Sequence, residues 1–90
     1  MKTLQPTTQF RKDLKRYKKN QKKLAALKDI LEMLKCEIPI PPEFSPHKLH
    51  ANYRGCMECH VGNDFLLIWV DEERDIIELV RLGSHSELFG

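Results

Sequence analysis

Asp64-Phe65-Leu66-Leu67-Ile68-Trp69-Val70 contains the longest apolar run of the chain, and its reading decides the fold. Six consecutive apolar residues fall far short of the ~20 that a membrane span needs. They suit a strand covered on both faces. Gly62-Asn63, just before the run, reads as a tight hairpin turn, which makes Asn52 to Val61 the preceding strand. Asp71-Glu72-Glu73-Arg74, just after it, reads as a polar turn, and Asp75 to Leu82 as the last strand. There Ile77 and Leu79 alternate with Ile76, Val80 and Leu82, as in a sheet with one face against helices and the other partly open.

Upstream, the period changes from two to that of a helix. Lys2 to Gln5 reads as a short first strand ended by Pro6, which has no backbone donor. Thr7 or Thr8 can cap a helix in which Phe10, Leu14 and Tyr17 form a narrow apolar stripe. Asn20 marks the break before a second helix lined by Leu24, Leu27, Ile30, Leu31 and Leu34. Pro39-Ile40-Pro41-Pro42 closes the helical hairpin and leaves residues 37–46 as a loop. At the other end Gly83 breaks the last strand, and Ser84 caps a final turn ending in Leu88 and Phe89. The expectation is a single α+β domain over residues 1–90. It has a small antiparallel sheet, made of the N-terminal strand and a three-strand meander, packed against an N-terminal helical hairpin, with a short C-terminal helix.

Composition agrees with one folded domain: 90 residues, 41% apolar and 31% charged, is a globular rather than a disordered balance. No apolar stretch follows the lysine in Met1-Lys2-Thr3-Leu4-Gln5-Pro6, so no signal peptide is expected and the cytoplasm is the default. Three cysteines, Cys36, Cys56 and Cys59, make no disulfide framework there. The net charge of +2 hides an asymmetry. Through Lys35, eleven basic residues face three acidic ones, a balance of +8; from Cys36 onward four face ten, a balance of −6. A basic half of this kind can meet a polyanion through its phosphates, or can simply keep the chain soluble.

Candidate chemistry lies in the second half. All four histidines, His47, His50, His60 and His85, are there. Histidine titrates nearest neutrality, and a pair can divide proton removal from proton donation; four independent surface histidines are the plainer reading. Cys56-Met57-Glu58-Cys59-His60 matches the C-x-x-C-H spacing of haem attachment. In a regular strand its two thiols would face opposite sides, which argues against haem or a shared zinc ion and for two core-filling cysteines. Arg81 interrupts an apolar strand, so it must pair with a carboxylate such as Asp64 or Glu58, or face an open surface and meet a substrate anion.

His47-Lys48-Leu49, Tyr53-Arg54-Gly55, Glu58-Cys59-His60-Val61 with Asp64, and the tail from Arg81 through Gly83-Ser84-His85 to Leu88-Phe89 resemble the YafQ branch of the RelE/ParE toxin superfamily. The resemblance runs over nearly the whole chain and implies a RelE-like fold. It implies a toxin of a type II toxin–antitoxin system, a ribosome-dependent endoribonuclease that cuts messenger RNA. Position by position, it makes His47, His60, Asp64, Arg81 and His85 catalytic, with Phe89 and Arg54 binding the substrate. His47 or His60, oriented by Asp64, would remove the 2′-hydroxyl proton, Arg81 would stabilise the phosphorane, and His85 would protonate the leaving oxygen. Lys12, Lys15, Arg16, Lys19, Lys22 and Lys23 would grip ribosomal RNA. No cofactor and no metal is required, because RNA carries its own nucleophile. The partners implied are a cognate antitoxin, the ribosome with its message, and operator DNA only through the antitoxin complex, with no membrane. His50 has no counterpart, and Ala51, Tyr53 and Met57 stand where such toxins carry Gly, Trp and Arg. Two other functions compete: a ParE-like toxin acting on gyrase, and a Cys/His metal-binding or DNA-binding accessory protein.

Overall fold

The computed structural model describes residues 1–72 and 74–90. Glu73, in the polar turn expected after the apolar strand, lies outside the described residues. In chain order the elements are β1 (Thr3–Pro6), α1 (Thr8–Lys15), α2 (Gln21–Lys35), a 3₁₀ turn at Pro42–Phe44, β2 (His47–Lys48), β3 (Met57–Gly62), β4 (Phe65–Glu72), β5 (Ile76–Gly83) and α3 (His85–Phe89). This is the expected α+β class, with one five-stranded sheet in the order β1-β5-β4-β3-β2.

Each helix starts where a side-chain oxygen meets the free N–H groups of a first turn. Thr7 Oγ1 accepts from the Phe10 amide at 3.0 Å, and Asn20 Oδ1 from the Lys23 amide at 3.1 Å. Ser84 closes a capping box with Glu87.

The sheet departs from the expectation in three places. It is mixed rather than antiparallel, because β1 runs parallel to β5 at the edge. Beyond Leu79 the chain leaves β1 for α1, and the helix takes over the edge of β5. Thr7 N donates to Leu79 O, Thr7 Oγ1 to Val80 O, and Asp13 accepts from the Leu82 amide. An edge that would be left with unpaired backbone groups is thereby satisfied. Second, Asn52–Gly55 is a turn, not the start of a strand. Tyr53 and Gly55 hold left-handed backbone angles (φ 60° and 88°) that turn the chain back, and the two-residue β2 pairs with Met57 and Glu58. The hairpin turn likewise sits at Asn63-Asp64, with Asp64 left-handed, and β4 runs on through Asp71 and Glu72.

The third departure matters most for the site. The β4–β5 register slips by one residue, pairing Trp69 with Leu79 but Ile68 with Arg81. This bulge at Val80 reverses the alternation beyond it. Leu82 therefore joins Ile77 and Leu79 in the core against α1 and α2, instead of sharing a face with Ile76 and Val80. Arg81 turns onto the opposite face beside Ile68. The main core is built by Phe10, Leu27, Ile30 and Leu34 of the helices against Cys59, Phe65, Leu67, Trp69 and their neighbours in the sheet. The second face carries a smaller cluster, Cys56, Leu66, Ile68 and Leu88, under α3.

Candidate active site

Strand pairing arranges the candidate residues in rows across this second face. One row runs from His47 to Glu58, Ile68 and Arg81 across β2, β3, β4 and β5. The next runs His60, Leu66, Gly83. With strands about 4.8 Å apart, His60 and Gly83 are separated by roughly 10 Å, within reach of one bound nucleotide. The His47 and His60 rings lie 6.3 Å apart between centroids, and both residues are exposed. Gly83 leads into α3, whose first residue is His85. Its ring lies 4.9 Å from Phe89, which meets Tyr53 edge-on at 5.6 Å. The structure thus brings His47, His60, Arg81, His85 and Phe89 onto one open face.

Arg81 finds neither of the carboxylates expected for it. Its partner is Asp13 of α1: Nε donates to Oδ2 at 2.8 Å and Nη2 to Oδ1 at 3.3 Å. Asp13 is completely buried and also accepts from the Leu82 amide and from Gln9. Burial alone would push its carboxyl up, but the hydrogen bonds from Arg81, the Leu82 amide and Gln9 outweigh this and hold it below the usual carboxylate value. The same bond raises Arg81 above its ordinary value. Nη1 donates to the Tyr53 hydroxyl at 2.7 Å, which itself donates to Leu88 O at 2.9 Å. Three of the five guanidinium N–H groups are thus taken, and two have no partner among the described residues.

Asp64 does not orient a histidine ring. Its Oδ1 accepts from the His85 backbone amide at 2.8 Å, fastening the start of α3 to the β3–β4 turn. Glu58 is the carboxylate that meets an imidazole, with Oε1 3.0 Å from His47 Nε2. Asp13 was not among the residues expected at the site, and Glu58 was expected as a partner of Arg81 rather than of a histidine. Asp13 sits in a run of lysines and looks like surface; a visible signal for Glu58 was its place two residues before His60 on one strand face.

Helix α3 is held from a second side by the turn that follows α1. Glu87 accepts from the Tyr17 hydroxyl and lies 3.3 Å from Arg16. Burial, then the Glu87 carboxylate, pushes the Tyr17 phenol up to about 12. Of the basic residues, Lys12, Lys15, Lys19 and Lys22 are exposed. Arg16 is engaged by Glu87, and Lys23 Nζ lies over the rings of Tyr17 and Phe65 at 5.2 Å. Arg54 and His50 are exposed in the turn region after β2. Cys56 and Cys59 open onto opposite faces, one in each core cluster, and burial pushes the Cys59 thiol up to about 12. Among the described residues no group of three or more His, Cys, Asp or Glu side chains is placed to hold a metal ion.

Residues 2–90 match the family described as bacterial toxin of type II toxin–antitoxin system, YafQ. The chain is 31% identical over 83 residues to the mRNA interferase toxin YafQ of Escherichia coli B/BL21-DE3, covering 91% of this chain and 89% of that protein. Among solved structures it resembles a metal-bound toxin from Helicobacter pylori (38% identity, TM-score 0.88, 99% of this chain and 100% of that one). It also resembles the E. coli DinJ–YafQ complex (28% identity, TM-score 0.86, all of both chains).

Proposed function

The chain belongs to the YafQ family of bacterial type II toxin–antitoxin toxins, and from that premise we propose that it is an endoribonuclease that cuts messenger RNA with its own side chains. The observation that carries this reading is the placement of His47, His60, Arg81, His85 and Phe89 on one face of the sheet, with two guanidinium N–H groups of Arg81 unpaired among the described residues.

The chemistry needs no protein nucleophile. A histidine of the His47/His60 pair takes the 2′-hydroxyl proton, the 2′-oxygen attacks phosphorus, and Arg81 binds the charge that develops on the phosphorane oxygens. His85 gives a proton to the departing 5′-oxygen. The products are a 2′,3′-cyclic phosphate and a 5′-hydroxyl. Asp64 serves by anchoring the His85 end of α3, and Phe89 offers a ring face on which a base can stack. Arg54, exposed in the turn after β2, meets the backbone of the message in this reading.

Two partners follow from this reading. The ribosome would present the message in the reactive geometry, gripped by the basic surface of α1 and α2, since positioning can supply several kcal/mol of a barrier. A cognate antitoxin would cover the open face, as DinJ assembles with YafQ in E. coli, and operator DNA would be met only through that complex. Among the described residues no helix is long and apolar enough to cross a membrane, and we place the toxin in the cytoplasm with its ribosomal target.

The test is cleavage of a message on programmed ribosomes. Wild type is expected to yield the cyclic phosphate and 5′-hydroxyl ends, and His85→Ala to lose about 10²-fold or more in single-turnover rate. A His85→Ala rate near wild type would sink the assignment.

A further inference from the structure

Tyr53 holds a left-handed backbone (φ 60°) in the turn between β2 and β3. Glycine takes that conformation freely, whereas a bulky aromatic residue is strained by it. Strain of this kind persists where the side chain's own contacts hold the residue in place. Those contacts lie at the candidate site. The Tyr53 hydroxyl accepts from Arg81 Nη1 at 2.7 Å and donates to Leu88 O at 2.9 Å. Both directions are fixed, because a guanidinium only donates and a carbonyl only accepts.

A second observation concerns what the two ends of this bond do. Asp13 grips Arg81 along one edge of the guanidinium, through Nε and Nη2, and Tyr53 takes the remaining nitrogen. With all three nitrogens held, the two N–H groups left over, one on each terminal nitrogen, have a set direction. At the other end, the Leu88 carbonyl lies in the last turn of α3, beyond which no helical amide can reach it. The Tyr53 ring meets Phe89 edge-on, with centroids 5.6 Å apart and planes at 83°, and packs on the cluster under α3.

We propose that Tyr53 is a positioning residue whose hydroxyl fixes the Arg81 fork and whose ring fixes Phe89, so that the groups for phosphate and base keep one separation. This rests on the nuclease reading above. Tyr53 acts through its two neighbours, and its two parts leave different kinetic marks. Arg81 serves charge that develops only in the transition state, so losing the hydroxyl lowers the rate at saturation. Phe89 holds a base before and during the reaction, so losing the ring raises the concentration needed to saturate.

Single-turnover cleavage on programmed ribosomes tests both parts. Tyr53→Phe is expected to lower the saturated rate about tenfold, the order of one hydrogen bond, with the half-saturating concentration within about twofold of wild type. In an Arg81→Lys background, where one ammonium stays with Asp13, Tyr53→Phe should cause no further loss, whereas a general loosening of the fold would cost the same in both. Tyr53→Leu, which keeps apolar packing but has no ring, should also raise the half-saturating concentration about threefold or more. A Tyr53→Phe rate within about twofold of wild type, or an equal loss in the Arg81→Lys background, overturns the role of the hydroxyl. A half-saturating concentration in Tyr53→Leu equal to that of Tyr53→Phe overturns the role of the ring.

Nitrogen-15 NMR of the full chain reads the Arg81 contact without reference to activity. Rotation about the Arg81 Cζ–Nη1 bond is expected to be slow in wild type and faster in Tyr53→Phe; equal rotation overturns the proposal. Wild type that leaves the message intact overturns the nuclease reading itself, while the NMR result still reports whether Tyr53 holds Arg81.

Discussion

Asp13 Oδ2 accepts a hydrogen bond from Arg81 Nε at 2.8 Å across 68 residues of sequence. It joins the basic helix α1 to the open face of the sheet. Tyr53 continues the chain of contacts from Arg81 to the Leu88 carbonyl, beside Phe89. A second link, from Tyr17 and Arg16 to Glu87, ties the same region to α3. These contacts join the surface expected to meet ribosomal RNA to the groups expected to meet the scissile phosphate.

Removing Asp13 should be costly. Asp13→Ala leaves the Arg81 guanidinium, 18% exposed, without its carboxylate and the Leu82 amide without its acceptor. A loss of about 3 kcal/mol in urea unfolding is expected. A change under about 0.5 kcal/mol, the size of an ordinary surface substitution, would show that the pair is not structural.

The same pair sets a response to acid. The Asp13 carboxyl is lowered in the folded protein, so its contribution to stability is present above the ordinary carboxylate range and is lost as pH falls through the lowered value. Urea midpoints of wild type and Asp13→Asn should therefore differ most near pH 7 and converge as the pH drops below about 4. A constant difference from pH 7 to pH 3 would contradict the linkage.

Two tyrosines are present, and Tyr17 should titrate near 12. Being raised, it contributes stability that is complete below about 10 and lost as pH rises through the folded value. Ultraviolet titration of Tyr17→Phe should lack the highest step. Gly83→Ala should lower that step in the intact protein. A Cβ at position 83 would lie 2.7 Å from Glu87 Oε1, the oxygen that accepts from Tyr17 and from the Ser84 amide. An unchanged tyrosine titration in Gly83→Ala would show that α3 absorbs the intrusion elsewhere.

Ribosome binding should weaken steeply with salt. Replacing the exposed Lys12, Lys15, Lys19 and Lys22 by alanine should reduce the slope of log affinity against log salt by about 3. Lys23→Ala should behave differently, costing about 0.5–1 kcal/mol of stability through its contact with Tyr17 and Phe65. A slope unmoved by the fourfold variant would return those lysines to a role in solubility.

Local physics made much of this protein legible from its residues alone. The oxygens of Thr7, Asn20 and Ser84 cap helices because of what lies within three residues of each. The run Phe65–Val70 is a buried strand because nothing else can cover six apolar side chains. The family motifs could be read in order because each is a short continuous stretch. What only the tertiary structure decided depends on partners distant in sequence. The slip between Ile68 and Trp69 brings Arg81 to the open face, a matter of register between two strands that neither strand encodes by itself. Asp13 is buried because β1 runs parallel to β5 and delivers α1 to that strand's free edge. Glu58 became a histidine partner because β2 pairs with β3 opposite it. Hydrophobic period and capping act over a turn or two of chain, whereas a charge in a folded protein takes its role from whatever the fold sets beside it.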